Sequence, residues 1–472
     1  MMHKAGWTIW ILGVPLLVGG CIGTAPLGSK RLKADVDAVQ KLAPDAWAAA
    51  ARKGPTAATG WLADFGEGSL RGLVERAVGE NPDLKAAAAR VDQARALTRQ
   101  AGAAFFPTLD GGADANRSQR PGDQRFSGLG QRANRFNSTL DVSWEPDFWG
   151  KIADQRGQRS AETAAAEADL HAARLSLAAN TVKTAVTQAE ARQQLALAEE
   201  NVRTRQIQLK VLDRQLDRGI DPDRLALDIS LSRADLARAE STVTQRRQDL
   251  DAATRSLERL LGGYPAGKEK GLTALPGLRR SIPAGLPSEM LLRRPDLRAA
   301  EQRLQGELRG ESAAKKALLP SIRLTGDKGY SSQELANLLS ASSVIWTVAS
   351  QLTQPIFQGG RLKAGVELAK ARYDEALQQY AGAVLTAFQE VETGLAAETF
   401  LVQQAGQLTR AVEEAERSDT LAQGQYERGL VDVLTLLDAR QRAFDARRAL
   451  LTVEAQRLRN RADLYLALGG AF

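Results

Sequence analysis

Hydrophobic positions in this chain follow three recurring patterns. Between residues 361 and 427 there is no proline, and Tyr373, Leu377, Tyr380, Val384, Phe388, Val391 and Leu395 keep a three-four spacing. That spacing is a coiled-coil seam. Residues 150–217 are equally free of proline, so each segment predicts a helix of about 100 Å at 1.5 Å per residue. A second pattern alternates with period two and predicts strands. It sets Leu140, Val142 and Trp144 against Thr139, Asp141 and Ser143, and Val344, Trp346, Val348 and Leu352 against Thr347 and Gln351. Ile322 and Leu324 oppose Arg323 and Thr325 in the same way. Strands are expected at about 105–118, 136–146, 320–330 and 344–356, with a polar loop near 329–343. Ten residues suit a bilayer crossing, and a small soluble sheet with one wet face would show the same alternation. A third pattern is a seven-residue ladder: Ile229, Leu236, Val243, Leu250 and Leu257, then Leu437, Phe444, Leu451, Leu458 and Tyr465.

The ladder belongs to a long internal repeat. Asn81-Pro82-Asp83-Leu84 returns as Arg294-Pro295-Asp296-Leu297, and Phe105-Phe106-Pro107-Thr108-Leu109 as Leu318-Leu319-Pro320-Ser321-Ile322. Pro146-Asp147-Phe148-Trp149-Gly150 is answered by Pro355-Ile356-Phe357-Gln358-Gly359, and Leu216-Asp217-Arg218-Gly219-Ile220 by Tyr426-Glu427-Arg428-Gly429-Leu430. Four matches in one order make two units of about 190 residues, each reading helix, strand, loop, strand, long helix, tight turn, helix. The division expected is 1–20 a signal peptide, 21–60 an anchored linker, 61–263 the first unit, 264–293 a connection rich in proline and glycine, and 294–472 the second unit. Two short helices stacked end to end in each unit match the length of the long one. The Leu261-Gly262-Gly263 stretch lacks the preceding strand and the lysine-serine pair of a phosphate loop, and is expected to be a helix C-cap.

Composition narrows the chemistry. The chain carries a formal charge of +7, but its lysines and arginines alternate with acids along the helical stretches, which describes a solvated helix surface and no nucleic-acid face. With one cysteine, Cys21, and two histidines, His3 and His171, zinc sites, disulfides and Cys-His catalysis within the chain are excluded. Neighbouring acids such as Glu199-Glu200 and Glu413-Glu414 point about 100 degrees apart on a helix and read as exposed. No enzyme activity, cofactor or metal is expected.

Lys4 precedes an apolar stretch over residues 7–18, the length of a signal-peptide core. Beyond it no run approaches the roughly 18 apolar residues of a spanning helix. The core ends in Leu17-Val18-Gly19-Gly20-Cys21, which resembles a bacterial lipobox and makes Cys21 the expected lipidated residue. Ile22 stands where an aspartate would resemble an inner-membrane retention signal.

Two hairpins supply only four strands, and a lipid-exposed sheet edge would leave backbone groups unpaired at several kcal/mol each. Two copies would close eight strands with a filled interior; three would close twelve around a lumen. The chain resembles the outer-membrane efflux protein family typified by TolC, and in particular its NodT-type lipoprotein branch, from about residue 61 to 470. The stretch from Tyr426 through Leu437 to Ala439 and the terminal Leu464-Tyr465-Leu466-Ala467-Leu468-Gly469-Gly470 carry that likeness most specifically.

The resemblance implies a mainly α fold with β: a homotrimer whose twelve-stranded β-barrel continues into a twelve-helix periplasmic α-barrel. It implies an outer-membrane location, a periplasmic adaptor, and an inner-membrane pump, for which the resistance-nodulation-division type is favoured. Arg218, Gly219 and Ile220, with Arg428, Gly429, Leu430 and Val431, would form adaptor-contacting tips. Leu434 and Asp438 match the family's aperture gate, while Gln441 stands where an arginine is often found, with Arg440 one position early, so the ionic latch would differ. Efflux of small toxic compounds is the function expected; protein secretion or a lipid-anchored periplasmic coiled coil are the alternatives.

Overall fold

A computed structural model describes residues 27–49, 60–66, 68–120, 131–219, 222–279, 285 and 287–470. Cys21, the signal segment, Ile220 and Asp221 lie outside the described residues. Four antiparallel strands make one sheet in the order β1-β2-β3-β4: β1 (Thr108–Arg120), β2 (Gln131–Trp144), β3 (Ser321–Ser332) and β4 (Val344–Thr353). The helices are α1 (Leu27–Gln40), α2 (Gly68–Glu80), α3 (Pro82–Ala103), α4 (Lys151–Asp217), α5 (Pro222–Leu260), α6 (Pro287–Arg293), α7 (Pro295–Lys316), α8 (Arg361–Glu427) and α9 (Val433–Ala467). Among them no helix is long and apolar enough to cross a membrane.

The two uninterrupted segments form α4 and α8, of 67 residues each. Beside α4 lie α3, of 22 residues, and α5, of 39; beside α8 lie α7, of 22, and α9, of 35. Prolines stand in the first turns of α3 and α7, where the missing N–H costs nothing. The residues before them differ between repeats. Asn81 caps α3 by accepting from the N–H groups of Asp83 and Leu84 at 2.9 and 3.1 Å. Arg294 has no acceptor to offer, and its guanidinium instead donates to Asp296, Glu390 and the Ala467 carbonyl. Gly262 ends α5 at φ 76°, and its N–H bonds the Arg259 carbonyl, which is the cap the sequence suggests.

Strand limits differ from expectation where apolar alternation misleads. Phe105 and Phe106 turn at the end of α3, and pairing starts at Thr108, after Pro107. At the far end β2 starts at Gln131 and β3 runs on to Ser332, because ladder bonds need backbone partners and no apolar side chain.

Near the sheet the helices pack in the order α3, α4, α7, α8, and near the distal turns in the order α5, α4, α9, α8. Each strand continues the helix of its own position: β1 follows α3, β2 precedes α4, β3 follows α7 and β4 precedes α8. Helix layer and sheet thus share one order and expose the same two edges. Two cores lie between. Leu70, Val74, Val182, Val186, Leu257, Leu458 and Tyr465 join α2, α4, α5 and α9, and Val36, Trp47, Leu297, Leu304, Tyr373, Val384 and Leu464 join the N-terminal segment to α7, α8 and α9. Of the seam residues, Tyr373, Tyr380, Val384, Val391 and Leu395 are buried, and Leu377 and Phe388 are half-buried.

Candidate functional site

Residues directly opposed in an antiparallel ladder share a face, so the register assigns every strand position. One face carries Leu109 on β1, Leu140, Val142 and Trp144 on β2, Ile322 and Leu324 on β3, and Val344, Trp346, Val348 and Leu352 on β4. Most are wide open in the single chain: Val348 is 79% exposed, Trp346 72% and Leu352 69%. Among the described residues nothing covers this contiguous apolar sheet face. The opposite face holds Asp110, Asp114, Arg135, Asn137, Thr139, Asp141, Arg323 and Asp327. Asp110, Asp141 and Asp327 stand in one cross-strand row, and Thr139 donates to Asp141 at 2.9 Å. Apolar outside and polar inside is the alternation of a membrane barrel wall.

At the other end of the helices α4 and α8 end alike, as far as Gly219 and Gly429. Gly219 and Gly429 each sit at φ 71°, a left-handed conformation that costs a side chain about 1 kcal/mol. The Gly219 N–H bonds the Leu216 carbonyl and the Gly429 N–H the Tyr426 carbonyl, both at 2.9 Å. Arg218 and Arg428 occupy the C-cap positions, and the Arg428 Nε donates to the Gly424 carbonyl at 2.9 Å. Asp432 caps α9 by accepting from the Thr435 N–H at 2.8 Å. Beneath the turns Leu212, Leu225, Ile229, Val433 and Leu437 pack together, while Leu430 projects 66% exposed.

Leu434 and Asp438 lie one turn apart on α9, both outside that core. Leu434 is 52% exposed between the buried Val433 and Leu436, and the Asp438 carboxylate pairs with Arg442 of its own helix at 2.8 Å. Gln441 accepts from Arg205 of α4 at 2.7 Å, and Arg440 reaches Asp419 at 3.4 Å and Gln423 on α8. The helix-to-helix ties of this level therefore run through Arg440 and Gln441, and Asp438 takes no part in them.

Sequence reasoning missed a buried charged node. Arg461, 2% exposed on α9, donates to Asp64 at 3.2 Å and to Glu398 of α8 at 2.8 Å, and Arg457 donates to Glu398 at 2.9 Å. Tyr465 donates to Asp64 at 3.0 Å, and burial together with the Asp64 charge pushes its hydroxyl up to about 12. Periodicity treats such charges as solvated; the only sequence signal is that Arg461 falls four residues before Tyr465 on the ladder face. Among the described residues no group of three or more His, Cys, Asp or Glu side chains is placed to hold a metal ion.

The family described as "Outer membrane efflux protein" matches residues 73–263 and 286–470. The chain is 31% identical over 413 residues to the solvent efflux pump outer membrane protein SrpC of Pseudomonas putida, covering 86% of each. It is 30% identical over 414 residues to the cation efflux system protein CusC of Escherichia coli, covering 87% of this chain and 88% of that one. The outer membrane channel CmeC of Campylobacter jejuni superposes with a TM-score of 0.84 at 26% identity, over 92% of both chains.

Proposed function

This chain belongs to the outer membrane efflux protein family, and on that premise we propose that three copies form the passive outer-membrane conduit of a tripartite efflux system. One observation carries the reading: strands and helices run in the same order and leave the same two edges open, β1 with α3 and α5 on one side, β4 with α8 on the other. A second copy satisfies both layers at once. Phe400 marks the open side of α8. It is 67% exposed and lies nine residues beyond the buried Val391, half a turn around the helix. Eight strands would leave no lumen, and twelve would.

Such a conduit catalyses nothing and takes its energy from an inner-membrane pump, of resistance-nodulation-division type, through a periplasmic adaptor. Relatives named for solvent and for cation efflux match this chain almost equally well, which fits a wall that selects little. The cargo is small toxic compounds. The mass of the purified protein in mild detergent tests the assembly: three chains are expected, and a monomer rejects it.

Two finer assignments go with this reading. Lipidation of Cys21 predicts that Cys21→Ser loses acyl labelling, and labelled palmitate persisting in that variant refutes it. The glycine turns, with Arg218, Ile220, Arg428, Leu430 and Val431, form the adaptor contact. Replacing Leu430 with Asp should weaken crosslinking to the adaptor at normal trimer yield, and unchanged crosslinking counts against the contact.

A further inference from the structure

Next to the sheet the helical layer carries an excess of cations. Arg99 stands near the end of α3 and Arg156 in the second turn of α4, both exposed, and among the described residues neither guanidinium has an acceptor. Beside them Asp154 holds two cations with one carboxylate, Lys316 at 2.5 Å and Arg309 at 3.1 Å. Two further acids near the sheet are engaged. Glu145 pairs with Lys151 at 2.5 Å, and Asp147 accepts from the N–H groups of Ile152 and Ala153 at 3.0 and 2.7 Å.

Contacts fix the four cations at one depth. A Cβ on Gly102, in the last turn of α3, would lie 3.5 Å from the Arg156 Nε, and the Lys316 Nζ donates to the Gly150 carbonyl at 3.1 Å, so the three helix ends meet level with one another. Arg156 stands about 8 Å along α4 from its start, and Arg99 about 6 Å from the end of α3. Helical period fixes their face. Eighteen residues make five turns; Arg156 precedes Arg174 by that interval, and Lys316 follows Arg298 by it. Arg174 and Arg298 line a cleft together with Gln40 of α1 and Val78 of α2. Arg99 is one turn from Arg95, which reaches Glu167 of the same cleft at 2.7 Å. The cations therefore stand on the side of the layer that carries α1 and α2, which leaves the other side clear for a passage.

The depth is that of lipid headgroups. Phe148 and Trp149, both exposed, lie between β2 and α4, and tryptophan collects at membrane–water interfaces. Headgroups fill about 5–8 Å beyond the hydrocarbon on each side of a bilayer. We propose that Arg99, Arg156, Arg309 and Lys316 form a cationic collar that binds the phosphate groups of anionic phospholipid in the leaflet facing the periplasm. This rests on the conduit reading above, which puts the apolar sheet face in lipid. Arg99 and Arg156 each bring a whole charge, and Arg309 with Lys316 one charge in excess of Asp154. A cation at such a surface is worth about fivefold in binding.

Native mass spectrometry of the purified oligomer, given phosphatidylglycerol and phosphatidylcholine with the same acyl chains, tests the collar. Wild type should retain phosphatidylglycerol about tenfold more. Arg99→Gln with Arg156→Gln leaves the Asp154 pairs intact and should cut that preference several-fold. Equal retention by wild type overturns the collar, and so does an undiminished preference in the double variant. Conductance in phosphatidylcholine bilayers tells the two readings apart, because both proteins should conduct alike there. Equal lipid retention beside intact conductance strikes the collar alone; a silent wild type strikes the conduit.

Discussion

Helices α4 and α8 have the same length and stand at the same place in the two repeats, yet they live in different surroundings. Along α4 there are partners on both sides, α3 and α5 on one, α7 and α9 on the other, and Ala178, Val182, Ala185, Val186 and Ala189 are wholly buried. Among the described residues helix α8 packs on α7 and α9 and, between Tyr373 and Glu392, on the N-terminal segment, and Leu368, Leu385, Phe400 and Leu421 are each more than half exposed. The chain is therefore a sector of a closed ring. What α4 finds inside its own chain, α8 finds in the next one.

Substitution by a carboxylate should separate the two helices most sharply. Val186→Asp places an unpaired charge in a dry core and should cost more than about 4 kcal/mol, enough to abolish folded protein. Phe400→Asp should leave helicity by circular dichroism unchanged and lower the mass in detergent from three chains to one. A trimer that tolerates Phe400→Asp would place the free edge of α8 elsewhere.

The next effect concerns α9, which lies between α4 and α8. If Leu434 and Asp438 face the aperture, Leu434→Ala with Asp438→Ala removes an apolar ring and a carboxylate ring, and single-channel conductance should rise several-fold at unchanged trimer yield. Conductance at the wild-type level would return both residues to an ordinary solvent face.

A smaller effect distinguishes the membrane-proximal ends of the long helices. Asp154 of α4, its carboxylate 4% exposed, pairs with Lys316 at 2.5 Å and Arg309 at 3.1 Å and accepts from Ser312; the corresponding turn of α8 has Ala364. Burial opposes ionisation of Asp154, but the Lys316, Ser312 and Arg309 hydrogen bonds outweigh it and hold the carboxyl below its usual range. Asp154→Asn should therefore destabilise the protein by about 2–3 kcal/mol near neutral pH. A depressed folded value means this contribution is complete above the unfolded value of about 3.9 and fades as pH falls through the folded one. Melting temperatures of wild type and variant should differ at pH 6 and converge only in strong acid; a gap that closes above pH 5 would contradict the assignment.

Much of this was legible in the sequence. The repeat, the two long helices, the glycine turns and the faces of β2, β3 and β4 follow from spacing, because spacing records which positions must share a side. The helix order was not legible, since α3, α7 and α9 are all amphipathic and periodicity does not say which stripe meets which. Nor was the node of Asp64, Glu398 and Arg461, where charges far apart in the chain neutralise one another out of solvent. The outer end of β2 escaped for the opposite reason: Arg132 extends the ladder with a polar side chain that alternation cannot see.

Planar-bilayer recording of the purified protein tests whether three chains close one continuous passage. Discrete conductance steps are expected without any energy source, from a species whose mass is three chains. Silent membranes from a correctly folded protein of monomeric mass would contradict it.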